Sequence, residues 1–132
     1  MKTRHCVVLF LSVGLTFLFS LIGVALSQTE PGFGVLKGRW VRPDGGYVIE
    51  IKGVDANGRM QAEYYNPKPI HVSVAEAGRS GGAVTLFVEL RGPGYPGSTY
   101  RLIHDPKNDQ LQGIYHHAGL KQDFTVVFVR VK

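Results

Sequence analysis

The stretch Gly38-Arg39-Trp40-Val41-Arg42-Pro43-Asp44-Gly45-Gly46-Tyr47-Val48-Ile49-Glu50-Ile51 decides the fold. Its second half alternates: Tyr47, Ile49 and Ile51 share one face of an extended chain, while Val48, Glu50 and Lys52 share the other. A period of two marks a half-buried strand. Pro43-Asp44-Gly45-Gly46 turns the chain just before it. The strand ahead of that turn, Val35 to Arg42, carries the Gly-x-Trp of Gly38 and Trp40.

The same grammar continues to the end of the chain. Asn57-Gly58 predicts a type I′ hairpin, because both residues tolerate positive φ. The third strand turns Met60, Ala62 and Tyr64 inward against Arg59, Gln61 and Glu63 outside. Asn66-Pro67-Lys68-Pro69 is expected to interrupt pairing, since neither proline has an N–H to donate. A fourth strand over Ile70–Ala77 puts Ile70, Val72 and Val74 inside, and a Gly-rich corner at Gly78–Gly82 leads into a fifth, Ala83–Arg91, with Val84, Leu86, Val88 and Leu90 on one face. Gly92–Gly97 is expected to be a loop, followed by a sixth strand with Tyr100, Leu102 and His104. The seventh, beyond Asp105–Asp109, presents Leu111, Gly113 and Tyr115, and the eighth, Asp123–Lys132, presents Phe124, Val126, Phe128 and Arg130. Short strands punctuated every ten residues or so by Gly, Pro, Asn and Asp predict an all-β fold, an eight-stranded antiparallel up-and-down meander barrel. A faint repeat fits it: Met60-Gln61-Ala62-Glu63-Tyr64 and Leu111-Gln112-Gly113-Ile114-Tyr115 occupy matching places in two hairpins.

The N-terminus belongs to a different physical world. A basic head, Met1–His5, precedes an apolar run from Cys6 to Leu26, and Ala25-Leu26-Ser27 offers small residues where a signal peptidase reads. Residues 1–27 are therefore expected to be a signal-peptide helix, with an uncleaved membrane anchor as the alternative. Residues 28–34 read as a flexible linker and 35–132 as the barrel domain. Loss of Lys2 and Arg4 with the leader leaves 13 basic against 10 acidic side chains. No Lys/Arg run occurs, which argues against a nucleic-acid partner. The single cysteine, Cys6, lies in the leader, so the mature domain is neither a disulfide scaffold nor a thiol enzyme. The expected location is periplasmic or secreted, with membrane contact only through an uncleaved leader.

Gly38-x-Trp40 opening the first strand, hairpin-linked strands after it and an arginine at the inward register of the last resemble the calycin group of lipocalins, avidins and fatty-acid-binding proteins. In that group the tryptophan plugs one barrel end and a basic residue of the final strand lies on its ring. The resemblance implies barrel closure by Trp40 and Arg130. The length, Gly46-Tyr47-Val48-Ile49, Asn57-Gly58 and the small-x-Tyr third strand look most like avidins. Biotin sites in avidins are lined by several tryptophans, and one tryptophan here does not imply biotin. More broadly the chain is similar to small exported bacterial proteins.

Four inward tyrosines, Tyr47, Tyr64, Tyr100 and Tyr115, combine apolar walls with hydroxyl handles, and Ala62 and Gly113 are expected to leave room beside them. His104 shares their face and is expected to hydrogen-bond one of their hydroxyls. Together these five residues form the expected interior site for a small apolar or amphipathic ligand, against the alternative that the rings simply fill the core. His116 and His117 face opposite sides of a strand, and neither they nor His71 has acidic partners at ligand spacing, so no metal and no cofactor are expected. Glu50, Glu63 and Glu89 fall on outer faces and no serine sits in a Gly-x-Ser-x-Gly elbow, which leaves no catalytic residues and a non-enzymatic reading. The alternative function is an interaction or inhibitor module. It would work through Gly92–Gly97 and Asn66–Pro69, or through a homodimer on the apolar outer face of the last strand, Thr125, Val127, Val129 and Val131, with Phe87 nearby.

Overall fold

Among the described residues nine antiparallel strands form one meander in which each strand is hydrogen-bonded to its sequence neighbour, with a single exception at the fourth. The computed structural model describes residues 32–132; the leader, its cleavage site and the first part of the expected linker lie outside the described residues. The strands are β1 Gly38–Val41, β2 Val48–Val54, β3 Met60–Asn66, β4 Lys68–Ile70, β5 Val72–Ser80, β6 Ala83–Gly92, β7 Tyr95–Asp105, β8 Gln110–His117 and β9 Gln122–Arg130. Sheet order is β4-β3-β2-β1-β9-β8-β7-β6-β5, so the first strand meets the last, with Trp40 opposite Arg130 and Val41 opposite Val129. That pairing removes two sheet edges that would otherwise be open to other chains. The result is the up-and-down barrel that the alternation predicts, nearly closed.

The count rises from eight to nine because the chain bends at His71. The expected fourth strand divides there: Lys68–Ile70 pairs with β3, and Val72–Ser80 pairs with β6. The remaining seam between β3 and β5 is drawn together at its far end. Arg59 bridges Glu76, and the Ala77 N–H donates to the Gly58 carbonyl at 2.6 Å. Gly58 has φ +87°, and a Cβ there would lie 2.2 Å from the Ala77 carbonyl oxygen. Only glycine meets both conditions. Gly58→Ala is therefore expected to destabilise the barrel by about 1–3 kcal/mol, read as a lower urea midpoint.

Three turns differ from expectation. Asn57-Gly58 is not a two-residue type I′ turn: Asp55 pairs with Arg59, Asn57 keeps negative φ and Gly58 alone is left-handed, which is a three-residue loop with a bulge. The Asp55 carboxylate selects it by accepting the N–H groups of Asn57 and Arg59, each at 2.9 Å. Asn66–Pro69 is a tight hairpin rather than a break, with Asn66 opposite Lys68 and Pro69 opposite Tyr65. The prolines are tolerated because β4 is short and has no sheet neighbour on its other side. Gly92–Gly97 is largely strand, with Gly92 opposite Tyr95 across Pro93-Gly94.

The core follows the alternation except in β5, where a bulge between Val72 and Val74 turns Val74 outward opposite Glu89, against expectation, and packs Ala75 and Ala77 on the core in its place. Val84, Leu86, Val88 and Leu90 of β6 are buried, as are Ile49, Ile51, Tyr64, Tyr100, Leu102, Leu111, Val126 and Phe128. Phe33–Leu36, spanning the end of the expected linker, forms a turn of 3₁₀ helix whose Leu36 is fully buried. Gly113 does not thin the wall. A Cβ on it would lie 2.0 Å from the Arg101 carbonyl oxygen, so its role is to let the backbones of β7 and β8 approach. Ala62 packs against the core.

Candidate functional site

The two barrel ends differ in chemistry. At one end the Arg130 guanidinium carbon lies 4.1 Å from the Trp40 ring centroid, over its face. Arg130 donates from Nη1 to the Lys37 carbonyl (2.7 Å), from Nη2 to that of Val35 (2.6 Å), and from Nε and Nη2 to Asp109 (2.6 and 3.1 Å). The indole N–H donates to the Leu36 carbonyl at 2.8 Å. The 3₁₀ turn is thus strapped across the barrel by Trp40 and Arg130 together.

His104 belongs to this closed end. Its ring meets Trp40 edge-on at 6.0 Å and its Nε2 is 3.0 Å from Asp109 Oδ1. The expected bond from His104 to a tyrosine hydroxyl is not made, because four residues of strand carry it about 13 Å along the barrel from Tyr100. Hydrogen bonds from Arg130, and then from His104, hold the Asp109 carboxyl down to about 2. Its folded value lies below its ordinary 3.8, so its contribution is present above about pH 4 and is lost as pH falls through 2. Acid titration of the unfolding midpoint is expected to show that loss, and Asp109→Asn is expected to remove it.

The opposite end opens to solvent as a cup of about 480 Å³. Tyr47, Tyr64, Tyr100 and Tyr115 all line it, joined by Tyr95 and Phe124. Register explains the convergence: Tyr100 lies opposite Tyr115, and Tyr115 opposite Phe124, across β7, β8 and β9. The Tyr100 and Tyr115 rings stack at 4.6 Å, and the Tyr64 and Tyr100 hydroxyls are 3.1 Å apart. Tyr47 lies down over Gly45, where a Cβ would come within 2.0 Å of its ring.

One residue lining the cup carries no expected role in the sequence. Arg42 is buried, 8% exposed. It donates from Nη1 to the Tyr100 hydroxyl (3.0 Å) and from Nε and Nη2 to the two oxygens of Asp44 (3.0 and 2.7 Å). Its guanidinium carbon is 4.5 Å from the Tyr47 centroid and 5.8 Å from that of Tyr115. Burial opposes its charge, but the hydrogen bonds to Asp44 and Tyr100 outweigh that and raise its pKa above the usual guanidinium value. The available signal was spacing: Arg42 is two residues beyond Trp40 and so shares its inward face. Tyr95 was hidden by its place in an expected loop. Asn66 donates to its hydroxyl at 2.5 Å.

Burial pushes the Tyr100 hydroxyl up to about 12 and raises those of Tyr64 and Tyr115. An unfolded tyrosine ionises near 10, so these groups subtract stability as pH climbs from 10 to 12. The ultraviolet tyrosinate signal is accordingly expected to lag behind free tyrosine and then to rise together with unfolding.

Of the other histidines, His117 lines the cup, its ring edge-on to Tyr115 at 6.0 Å, while His116 and His71 lie away from it. His116 Nδ1 lies 2.6 Å from Asp123, His117 Nδ1 accepts the Leu120 N–H at 3.0 Å, and His71 is exposed at the bend. Among the described residues no three His, Cys, Asp or Glu side chains converge as a metal site. On the outer face Val127 and Val129 are half-buried and Thr125 and Val131 exposed, and Phe87 is covered by the Arg101 guanidinium at 4.6 Å. No protein-family model, curated protein or solved structure matches the chain, so its assignment rests on the barrel and on the cup.

Proposed function

We propose that this protein is an exported, calycin-like binding protein that holds a small amphipathic molecule in the cup, and that it acts by binding rather than by catalysis. The observation that carries the reading is the asymmetry of the interior. One end is sealed by Trp40, Arg130 and the 3₁₀ turn, with Leu36 and Trp40 fully buried. The other keeps about 480 Å³ beside a buried guanidinium and several tyrosines. Volumes of this order, apolar-walled with a few convergent polar groups, suit small ligands. No buried side-chain nitrogen or oxygen among the described residues lacks a partner, so no buried polar group there needs a ligand to satisfy it. The ligand then joins a preformed site.

Native mass spectrometry of protein isolated from its source is expected to retain a small-molecule adduct, and a thermal-shift screen to raise Tm for molecules of that class. A bare mass and a flat screen would overturn the reading. Gly45→Val, which evicts the Tyr47 ring from its resting place, is expected to abolish the shift while leaving the β-sheet circular dichroism unchanged. Export is supported by the leader alone, and fractionation of the source cells checks it.

A further inference from the structure

We propose that the cup takes a planar aromatic carboxylate, its ring laid against the tyrosine faces and its two oxygens received by the terminal nitrogens of Arg42. This rests on the cup being a binding site, as argued above, and adds the class of molecule.

The ring follows from the walls. Among the residues lining the cup there is no Leu, Ile or Val; the apolar surface is aromatic, from Tyr47, Tyr64, Tyr95, Tyr115 and Phe124. An acyl chain would find no aliphatic wall to pack against. A planar ring can stack or meet these faces edge-on. Phe124, 43% exposed at the rim and 6.4 Å from the Tyr115 ring, presents the kind of surface such a ring would cover.

The head group follows from Arg42. An aromatic box ordinarily favours a cation. Here the protein's own guanidinium already lies over Tyr47 and Tyr115, so a cationic ligand would meet a like charge. The guanidinium has five N–H groups. Nε and one N–H of Nη2 are given to Asp44, and one N–H of Nη1 to Tyr100. Among the described residues one N–H on each terminal nitrogen meets no acceptor, and these are the groups that would receive the two oxygens of a carboxylate. Asp44 is the competing anion, but its side chain is 60% exposed and solvent weakens its hold.

Benzoate, benzyl alcohol and benzylamine carry the same ring with anionic, neutral and cationic heads. Titrated into the purified protein and followed by aromatic NMR shifts, benzoate is expected to bind at least about tenfold more tightly than benzyl alcohol, the scale of a charge-assisted hydrogen bond, with benzylamine weakest. In Arg42→Gln that preference is expected to vanish. Asp44→Asn, which frees the guanidinium without touching the core, is expected to tighten benzoate severalfold, a direction opposite to any loss of folding. Equal or tighter binding of benzyl alcohol or benzylamine would overturn the carboxylate assignment and leave the cup standing as a site. Weaker benzoate binding in Asp44→Asn would overturn it as well. If none of the three moves a cup resonance, the aromatic-acid proposal falls, and native mass spectrometry alone then decides the broader reading.

Discussion

Trp40→Ala is expected to destabilise the barrel by about 3–5 kcal/mol, the largest effect of any single substitution considered. The indole is fully buried and is the widest side chain at the closed end. Its removal leaves a void beneath the 3₁₀ turn, releases the Leu36 carbonyl from the indole N–H, and strips the Arg130 guanidinium of the face it covers. A cavity this near the end of the barrel fills by collapse of the turn, so Phe33–Leu36 is expected to loosen first. Urea denaturation gives the free energy, and limited proteolysis within residues 33–37 reports the local opening. An effect below about 1 kcal/mol would mean that the closed end is not held by the tryptophan.

Arg130→Leu is expected to be the second largest, about 2–3 kcal/mol. The pair it breaks is partly exposed, with 26% and 47% of the Arg130 and Asp109 side chains accessible, so the full penalty of a buried broken pair does not apply. The loss comes from three sources at once. Two carbonyls, those of Val35 and Lys37, lose their donor, the indole face loses a cation worth roughly 0.5–2 kcal/mol, and Asp109 keeps only His104. The variant carries a second signature, because Asp109 then loses the stronger of the bonds that depress its pKa. Its acid-dependent loss of stability should shift toward pH 4. Since Trp40 and Arg130 are in contact, the double substitution is expected to be milder than the sum of the singles, and the difference measures their coupling. Strict additivity would show that the stack contributes nothing.

Much of this architecture was readable from residue types and spacing. Val84, Leu86, Val88 and Leu90 announce a strand and its buried face without ambiguity, and so do Ile49 and Ile51. The placement of Trp40 beside Arg130 came from a resemblance rather than from periodicity, and the structure brings the two together. Other features were opaque for definite reasons. His71 looks like one more residue of a continuous strand, yet the chain bends there because β4 must follow β3 while β5 follows β6. Gly113 looked like a gap in the wall when it is a point of backbone approach, a distinction that depends on a neighbouring strand. Arg42 carried a charge, and a charge next to a turn is ordinarily read as solvated.

Amino-acid order alone determined which side of the sheet most residues face, because side chains in extended chain alternate; only at the bulge between Val72 and Val74, which depends on the partner strand β6, does that alternation slip. It could not determine height along the barrel axis. Height depends on the stagger between neighbouring strands, which is set only when the sheet closes on itself. Tyr100 and His104 share an inward face, and their four-residue spacing alone keeps them about 13 Å apart; the closure of β1 on β9 is what sets Trp40 and Arg130 together at the His104 end, away from the cup. The same stagger gathers Tyr47, Tyr64, Tyr100 and Tyr115 from four separate segments around the Arg42 guanidinium, and so decides where a ligand would sit.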